Sequence, residues 1–229
     1  MVANGENASN GKGINPRGAE ELRDAGVDVI TSGNHIWQSR DIVPYLDENH
    51  RLLRPLNYAP GVPGVGWTVR PARKGGPAVA VINLIGRTFM PPAACPFWAV
   101  EEILPAVRQE TPVIFVDMHG EATSEKVGMG WFLDGKVSAV VGSHTHVQTA
   151  DETILPGGTA YLTDAGMCGP EHSVLGVRTE QVLQRFRSQM PVRFDVAPGP
   201  VMVQGAVVEI DQETGRATSI VRLRERVAA

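Results

Sequence analysis

The chain has 229 residues, of which 42% are hydrophobic and 20% charged, and its formal net charge is −4. A chain of this length can bury a sizeable core, and the composition is that of an ordinary globular protein. No run of Lys or Arg is present, which argues against non-specific and sequence-specific binding to nucleic acid, because such binding depends on clustered cations.

The cysteine content and the hydropathy of the chain indicate the cellular compartment in which the protein is expected. Only Cys95 and Cys168 are present, without a CxxC motif. We therefore predict no disulfide framework and a reducing compartment, the cytoplasm. No apolar run approaches the roughly 18 residues that span a bilayer, and the first residues lack the basic region and long apolar core of a signal peptide. We expect no membrane partner.

The first third of the chain predicts two helices around a short strand, which favours an α/β fold. Residues 16–25 predict a helix with Pro16 in its first turn, residues 27–30 a strand, and residues 38–46 a second helix. The Pro- and Gly-rich stretch at 51–77 predicts a long surface excursion. It is a candidate interface for a homo-oligomer.

The rest of the chain continues the alternation and ends in a hairpin. The predicted elements are strand 78–84, helix 97–109, strand 112–117, helix 123–133, strand 137–142, strand 159–163 and helix 177–188. Residues 201–210 and 217–224 predict the terminal hairpin, with Gly215 in its turn. No internal repeat or linker interrupts the pattern, so we expect a single domain over residues 1–229.

Polar residues cluster just after the predicted strands. His35, His119, His144 and His146 all follow such strands, and only two of the six histidines lie elsewhere. In open α/β sheets, binding sites form at the carboxyl ends of strands. Imidazole and carboxylate ligands suit Zn, Fe or Mn. With Asn34 as a neutral oxygen donor and Glu6 as a possible bridging carboxylate, the pattern predicts a two-metal hydrolytic centre.

The His-x-His motif has a specific expected geometry. In an extended segment His144 and His146 face the same way, about 7 Å apart. Two metals of a hydrolytic pair lie roughly 3.5–4 Å apart, so each histidine can take one metal. A lone His-x-His motif is equally typical of loop histidines that are satisfied by hydrogen bonds.

Each remaining motif also has a purely structural interpretation. The segment at 4–7 is also typical of a turn, since it contains Asn-Gly. Gly33-Asn34-His35 fits a strand-to-helix turn with Asn in the left-handed region, and His119 fits a core histidine. Thr123-Ser124-Glu125 predicts a helix cap, whose helix N-terminus is also a candidate phosphate site.

Taken together, the motifs resemble those of the calcineurin-like metallophosphoesterases, and within them the bacterial YmdB-like branch. The segments that carry the resemblance are VANGEN (2–7), SGNHIW (32–37), RPLNY (54–58), NLIGR (83–87), DMHGEATSEK (117–126), VVGSHTHVQTAD (140–151) and GTAYLTDAGM (158–167). The resemblance covers nearly the whole chain.

The resemblance implies a four-layer αββα metallophosphoesterase sandwich that hydrolyses phosphodiesters, with 2′,3′-cyclic nucleotides as the substrate class. It implies two divalent or transition metal ions, Fe, Mn or Zn. It places Glu6 between both metals, Asn7 and His146 on the first, and Asn34, His119 and His144 on the second. It makes His35 the general acid.

The sequence departs from the family at its beginning. Family members open with a strand that bears Gly-Asp, whose aspartate ligates the first metal, followed by a helix. No such unit precedes Val2, so we expect an N-terminally truncated sandwich with a weakened first metal site. The alternative is a catalytically impaired metal-binding or regulatory protein.

A metal-dependent amidohydrolase is a further alternative, because that class also uses a His-x-His motif. There the motif belongs to an early barrel strand. Here it lies two-thirds along the chain, after two other strands that carry candidate ligands, which disfavours the amidohydrolase.

Overall fold

The computed structural model describes residues 1–9, 11–73 and 75–227. Its helices are α1 (Pro16–Asp24), α2 (Ile42–Glu48), α3 (Pro96–Glu110), α4 (Thr123–Leu133) and α5 (Thr179–Ser188). Its strands are β1 (Val2–Asn4), β2 (Val29–Thr31), β3 (Trp67–Arg70), β4 (Val79–Ile85), β5 (Val113–His119), β6 (Ala139–Ser143), β7 (Thr153–Ile154), β8 (Ala160–Leu162), β9 (Gly169–Pro170), β10 (Val201–Ile210) and β11 (Ala217–Val227).

A six-stranded sheet in the order β3-β4-β5-β6-β8-β7 forms the centre of the fold. Strands β4, β5, β6 and β8 run parallel, while β3 and β7 are antiparallel edges. Two smaller sheets accompany it. Strands β1 and β2 form a parallel pair, and β11, β10 and β9 form an antiparallel sheet.

The alternation of side chains along β5 shows how the layers are built. Ile114 and Val116 point into a core shared with Val100 of α3 and Met129 of α4. Phe115 points the other way, where it packs against the cluster formed with β1 and β2 and against the cluster formed with β10 and β11. The central sheet is therefore covered by helices on one face and by strands on the other.

Helices α1 and α2 form the fourth layer. Ala19 of α1 and Leu46 of α2 pack against Ile30 of β2, on the side of the β1–β2 pair that faces away from the central sheet. The layer order is helix, sheet, sheet, helix, which confirms the αββα prediction. Within the described residues, no helix has both the length and the apolar content needed to cross a bilayer.

The prediction of a surface excursion over residues 51–77 is wrong. Leu52 and Leu53 are fully buried, and Leu52 bridges to Ile30. Trp67–Arg70 is strand β3, and the Asn57 side chain donates to the carbonyl of Ile85 at 2.8 Å. The Pro and Gly content set the expectation, but the apolar pair Leu52-Leu53, just before the first of these prolines, has enough hydrophobic area to anchor the segment in the core.

The predicted cap of α4 is also wrong. The helix begins at Thr123 with Ala122 as its N-cap residue, and no side chain caps it. Glu125 turns instead toward the loop after β4, where its carboxylate accepts the backbone N–H groups of Arg87 and Thr88, at 3.1 and 3.0 Å. Glu125 therefore joins α4 to that loop.

A buried ion pair joins α4 to the loops after β6 and β8. Lys126 and Asp164 are 1% and 0% exposed, and Nζ of Lys126 lies 2.9 Å from Oδ2 of Asp164. The same carboxylate oxygen accepts the backbone N–H and the hydroxyl of Thr145, at 3.1 and 2.7 Å. The pair thus fixes the residue between His144 and His146.

Substitution Lys126→Met is expected to lower the free energy of unfolding by about 3–5 kcal/mol, because it leaves the Asp164 carboxylate buried without its cation. Lys136→Met is the matched control, since Lys136 is exposed and rests on the Phe132 ring. That control should cost no more than about 1 kcal/mol. Urea denaturation of both variants measures the difference. Equal stability of Lys126→Met and the wild type would contradict the structural role of the pair.

Candidate metal centre

Strands from two facing sheets deliver polar side chains to one place. Strand β1 leads to Glu6 and Asn7, and β2 leads to Asn34 and His35. In the central sheet, β5 ends at His119, and β6 ends at Ser143, just before His144 and His146. All of the sequence-predicted site residues therefore follow strand ends, and contacts within 4 Å link them into one cluster.

Glu6 lies at the centre of this cluster and is 3% exposed. Its Oε1 accepts the backbone N–H of His35 at 2.5 Å and lies 3.7 Å from Nε2 of His119. Its Oε2 is buried and has no hydrogen-bond partner among the described residues. Burial raises the pKa of Glu6 to about 8, although hydrogen bonds from the backbone of His35 and Gly33 oppose the shift. Such a carboxyl group needs either a proton or a cation.

Three donor atoms with lone pairs meet beside Glu6. Nε2 of His119 lies 3.2 Å from Oδ1 of Asn34 and 3.1 Å from Nδ1 of His144. Nε2 of His144 lies 3.1 Å from the Glu121 carboxylate. That neighbour favours the ring proton on Nε2 and leaves the lone pair of Nδ1 facing His119. A carboxylate that orients a metal-binding histidine in this way is common.

The imidazole rings are held in their neutral form. Burial lowers the pKa of His119 well below its usual value, and it also lowers the pKa of His144 and of His146. A metal binds neutral imidazole, so these rings need to lose no proton before coordination.

Asn7 connects His35 and His146. Its carboxamide lies 3.1 Å from Nδ1 of His35 and 3.2 Å from Nε2 of His146. Both N–H groups and the oxygen of the Asn7 amide have hydrogen-bond partners when its nitrogen donates to Nδ1 of His35 and to the carbonyl of Gly11, at 3.1 Å each. Its oxygen then faces His146. An amide oxygen and an imidazole nitrogen thus lie side by side in a second part of the cluster, which His35 links to Glu6.

The His-x-His segment does not have its predicted geometry. Strand β6 ends at Ser143, and His144 and His146 adopt positive φ angles of 100° and 63°. The expectation of an extended segment with both rings facing one way is therefore wrong. His144 turns toward His119 and His146 toward Asn7. Left-handed backbone is unfavourable for non-glycine residues, and the bonds between Thr145 and Asp164 hold this loop in place.

Gly33 permits the approach of the two sheets. A Cβ atom at this position would lie 2.1 Å from Nε2 of His119. The backbone before Asn34 therefore rests directly on the imidazole ring, which no residue with a side chain allows. The glycine of the Gly33-Asn34-His35 motif thus has a steric role in addition to its place in a turn.

The donor set fits divalent cations. Within the described residues, no three His, Cys, Asp or Glu side chains form a metal-binding group by themselves. The cluster becomes complete only when the carboxamides of Asn7 and Asn34 are counted with Glu6 and the histidines. The unpartnered Oε2 of Glu6 and the facing lone pairs of His119 and His144 are what a cation would satisfy.

Two buried polar residues behind the cluster, Asp117 and Asn83, were not predicted from the sequence. Asp117 accepts hydrogen bonds from Asn4, Thr31 and Ser143. Asn83 pairs with both the N–H and the carbonyl of Ser32, at 3.2 and 3.0 Å. Both residues lie in strands of the central sheet and bond to the β1–β2 side. Asp117 could have been identified from the sequence, because it is a polar residue inside an apolar strand. It precedes His119 by two residues, so both side chains lie on the same face of the strand.

The four-layer fold, with Glu, Asn and His at strand ends of two facing sheets, defines a metallophosphoesterase. The chain belongs to the YmdB-like family, whose model matches residues 1–223. This confirms the resemblance stated from the motifs.

Individual relatives agree with this assignment. The chain is 47% identical over 222 residues to the 2′,3′-cyclic-nucleotide 2′-phosphodiesterase of Bacillus subtilis (strain 168), covering 97% of this chain and 83% of that protein. A hypothetical protein of Thermus thermophilus superposes with a TM-score of 0.91 at 40% identity, covering 98% of this chain and 86% of that one. A novel phosphatase of Mycoplasma pneumoniae gives 0.89 at 33% identity, covering 98% and 81%. The chain is accordingly a hydrolase of the metallophosphoesterase type.

Binding of a divalent cation is expected to release a proton from Glu6. Its pKa of about 8 exceeds the ordinary value of 4.5, so the metal-free protein keeps this proton at pH 7 and loses it above pH 8. Coordination requires the carboxylate. About one proton should therefore be released at pH 7 and almost none at pH 9.5. Calorimetric Mn²⁺ titrations in buffers of different ionisation enthalpy measure the number. Equal release at both pH values would contradict a protonated Glu6.

Proposed function

We propose that this chain is a metal-dependent phosphodiesterase that hydrolyses small phosphodiesters, with 2′,3′-cyclic nucleotides as its substrate class. The observation that carries the proposal is the cluster around Glu6, in which a buried carboxylate with an unpartnered oxygen meets neutral imidazoles and amide oxygens. The printed activity of the Bacillus subtilis relative supports the substrate class. The free thiols of Cys95 and Cys168 support a reducing compartment, the cytoplasm.

Two groups of residues would hold two metal ions, which we take to be Fe, Mn or Zn. Asn7 and His146 would form the first group, Asn34, His119 and His144 would form the second, and Glu6 would be shared by both. Such ions supply Lewis acidity, which acidifies water and neutralises charge on phosphoryl oxygens.

His35 is placed to act as the general acid. Its backbone N–H is held by Glu6, and its Nδ1 faces the Asn7 amide, so Nε2 remains available to a substrate. Its side chain is 37% exposed, in contrast to that of His119 at 1%. Burial lowers the pKa of His35, so the ring is neutral in the free protein. The negative charge of a bound phosphodiester would favour the protonated ring, and Oε1 of Glu6, 3.4 Å from Nδ1, would accept the added proton. His35 then protonates the departing ribose oxygen during in-line attack by water.

The metal-loaded protein is expected to hydrolyse 2′,3′-cyclic nucleotides, and chelation should abolish turnover until Mn²⁺ is restored. Metal content by elemental analysis and product formation by chromatography test this together. Metal binding without turnover on any 2′,3′-cyclic nucleotide or on bis-p-nitrophenyl phosphate would instead establish the impaired regulatory protein.

The variant His35→Ala is expected to lose about 10²–10⁴-fold in turnover of cyclic nucleotides while its metal content stays unchanged. The loss should be smaller on bis-p-nitrophenyl phosphate, since p-nitrophenolate leaves without protonation. His172→Ala is the control, because His172 is exposed and makes no contact with the cluster. If His35→Ala loses metal in proportion to activity, His35 is a ligand and its role as the acid is wrong.

A further inference from the structure

A chain of hydrogen bonds leads from a buried carboxylate to the ring of His119. The hydroxyl of Ser143 donates to Oδ1 of Asp117 at 2.6 Å, and its oxygen lies 3.0 Å from Nδ1 of His119. Asp117 is 4% exposed and His119 is 1% exposed. At this depth the direction of the hydrogen bonds is set by the protein groups themselves.

The partners of Asp117 determine that direction. Its Oδ2 accepts from Nδ2 of Asn4 at 3.0 Å and from the hydroxyl of Thr31. Burial raises the pKa of Asp117, and the hydrogen bonds from Ser143, Thr31 and Asn4 oppose that shift. In its ionised form, with Ser143 on Oδ1, the carboxylate accepts three hydrogen bonds from three different strands and donates none. Ser143 has only one hydroxyl proton. Because that proton goes to Asp117, Ser143 can only accept from His119, whose Nδ1 must carry the ring proton.

We propose that Asp117 is a positioning residue that, through Ser143, fixes His119 as the tautomer with its proton on Nδ1. The lone pair of Nε2 then faces the other donor atoms of the cluster. The inference rests on the proposed function in one respect, since a divalent metal ion is what would take this lone pair. A hydrogen-bond partner on the second ring nitrogen is the usual way in which proteins set a ligand histidine.

The opposite tautomer also has a partner, which makes the inference testable. A proton on Nε2 would be donated to Oδ1 of Asn34, at 3.2 Å, or to the lone pair on Nδ1 of His144, at 3.1 Å. That arrangement requires Ser143 to donate to Nδ1 and to abandon Asp117. A hydrogen bond to a carboxylate is roughly twice as strong as one between neutral groups, so the carboxylate decides the direction.

The substitution Asp117→Asn should reverse the chain with little change of shape. Asn4 cannot turn over, because its Oδ1 accepts the backbone N–H of Glu6 at 3.0 Å. Its Nδ2 therefore still points at position 117. The introduced carboxamide must direct its oxygen toward Asn4 and its NH₂ toward Ser143. Ser143 then donates to His119, and the ring proton moves to Nε2.

The test uses the full chain labelled with ¹⁵N-histidine, free of metal, with the His119 signals assigned by their loss in His119→Gln. Ring ¹⁵N shifts should show the Nδ1–H form in the wild type and the Nε2–H form in Asp117→Asn. The matched control is Thr31→Val, which removes a donor from the other carboxylate oxygen and should keep the Nδ1–H form. Mn²⁺ affinity should fall about 10–100-fold in Asp117→Asn. It should fall less in Thr31→Val, which loses one contact between the sheets but keeps the carboxylate and the Nδ1–H form.

The outcomes separate this inference from the proposed function. An Nε2–H tautomer in the wild type, or unchanged shifts and Mn²⁺ affinity in Asp117→Asn, overturns the role of Asp117. If Asp117→Asn does not fold, Ser143→Ala decides in its place, since it should lose the Nδ1–H form and weaken Mn²⁺ binding to the same extent. A wild-type protein with the Nδ1–H form and no affinity for Mn²⁺ supports the tautomer while contradicting the proposed metal centre.

Discussion

The hydrogen bonds that Asp117 accepts join the two sheets, and the arrangement of the candidate site depends on them. Its donors are Asn4 and Thr31 on one side and Ser143 on the other. Apolar packing between sheets tolerates small shifts, whereas hydrogen bonds to a buried carboxylate are directional and costly to break. Asn83 adds a second directional link, to the backbone of Ser32. The donor atoms from both sheets are thereby kept in register.

The candidate site contains several features that each cost free energy in the folded protein. Glu6 is a buried carboxyl group with an unpartnered oxygen, and His144 and His146 have left-handed backbone. Such features persist where the surrounding structure over-determines them. Here the buried pair of Lys126 and Asp164 secures the loop, and the apolar core between the central sheet and its helices supplies the stability of the frame.

The strand-end positions of the candidate ligands could be predicted, because short apolar runs followed by Gly, Asn and His are a local signal. The geometry of His144 and His146 could not, since it depends on contacts with Asp164 about twenty residues later in the chain. Burial of Leu52 and Leu53 was missed because Pro and Gly dominate that stretch. Asp117 lies in an apolar strand, and its partners come from three strands that are distant in sequence. The single-domain organisation and the homo-oligomer stay predictions.

Helix α4 and the turn before it contact the loops that follow three strands of the central sheet. Glu125 holds the loop after β4, Lys126 holds the loops after β6 and β8, and Glu121, just before the helix, faces His144. All of these loops are therefore attached to the same helix, so their positions depend on one another. A substitution that tilts α4 on the sheet would move all of them in concert. We expect variation along the buried side of this helix to alter several parts of the cluster at once, even where no altered residue touches it.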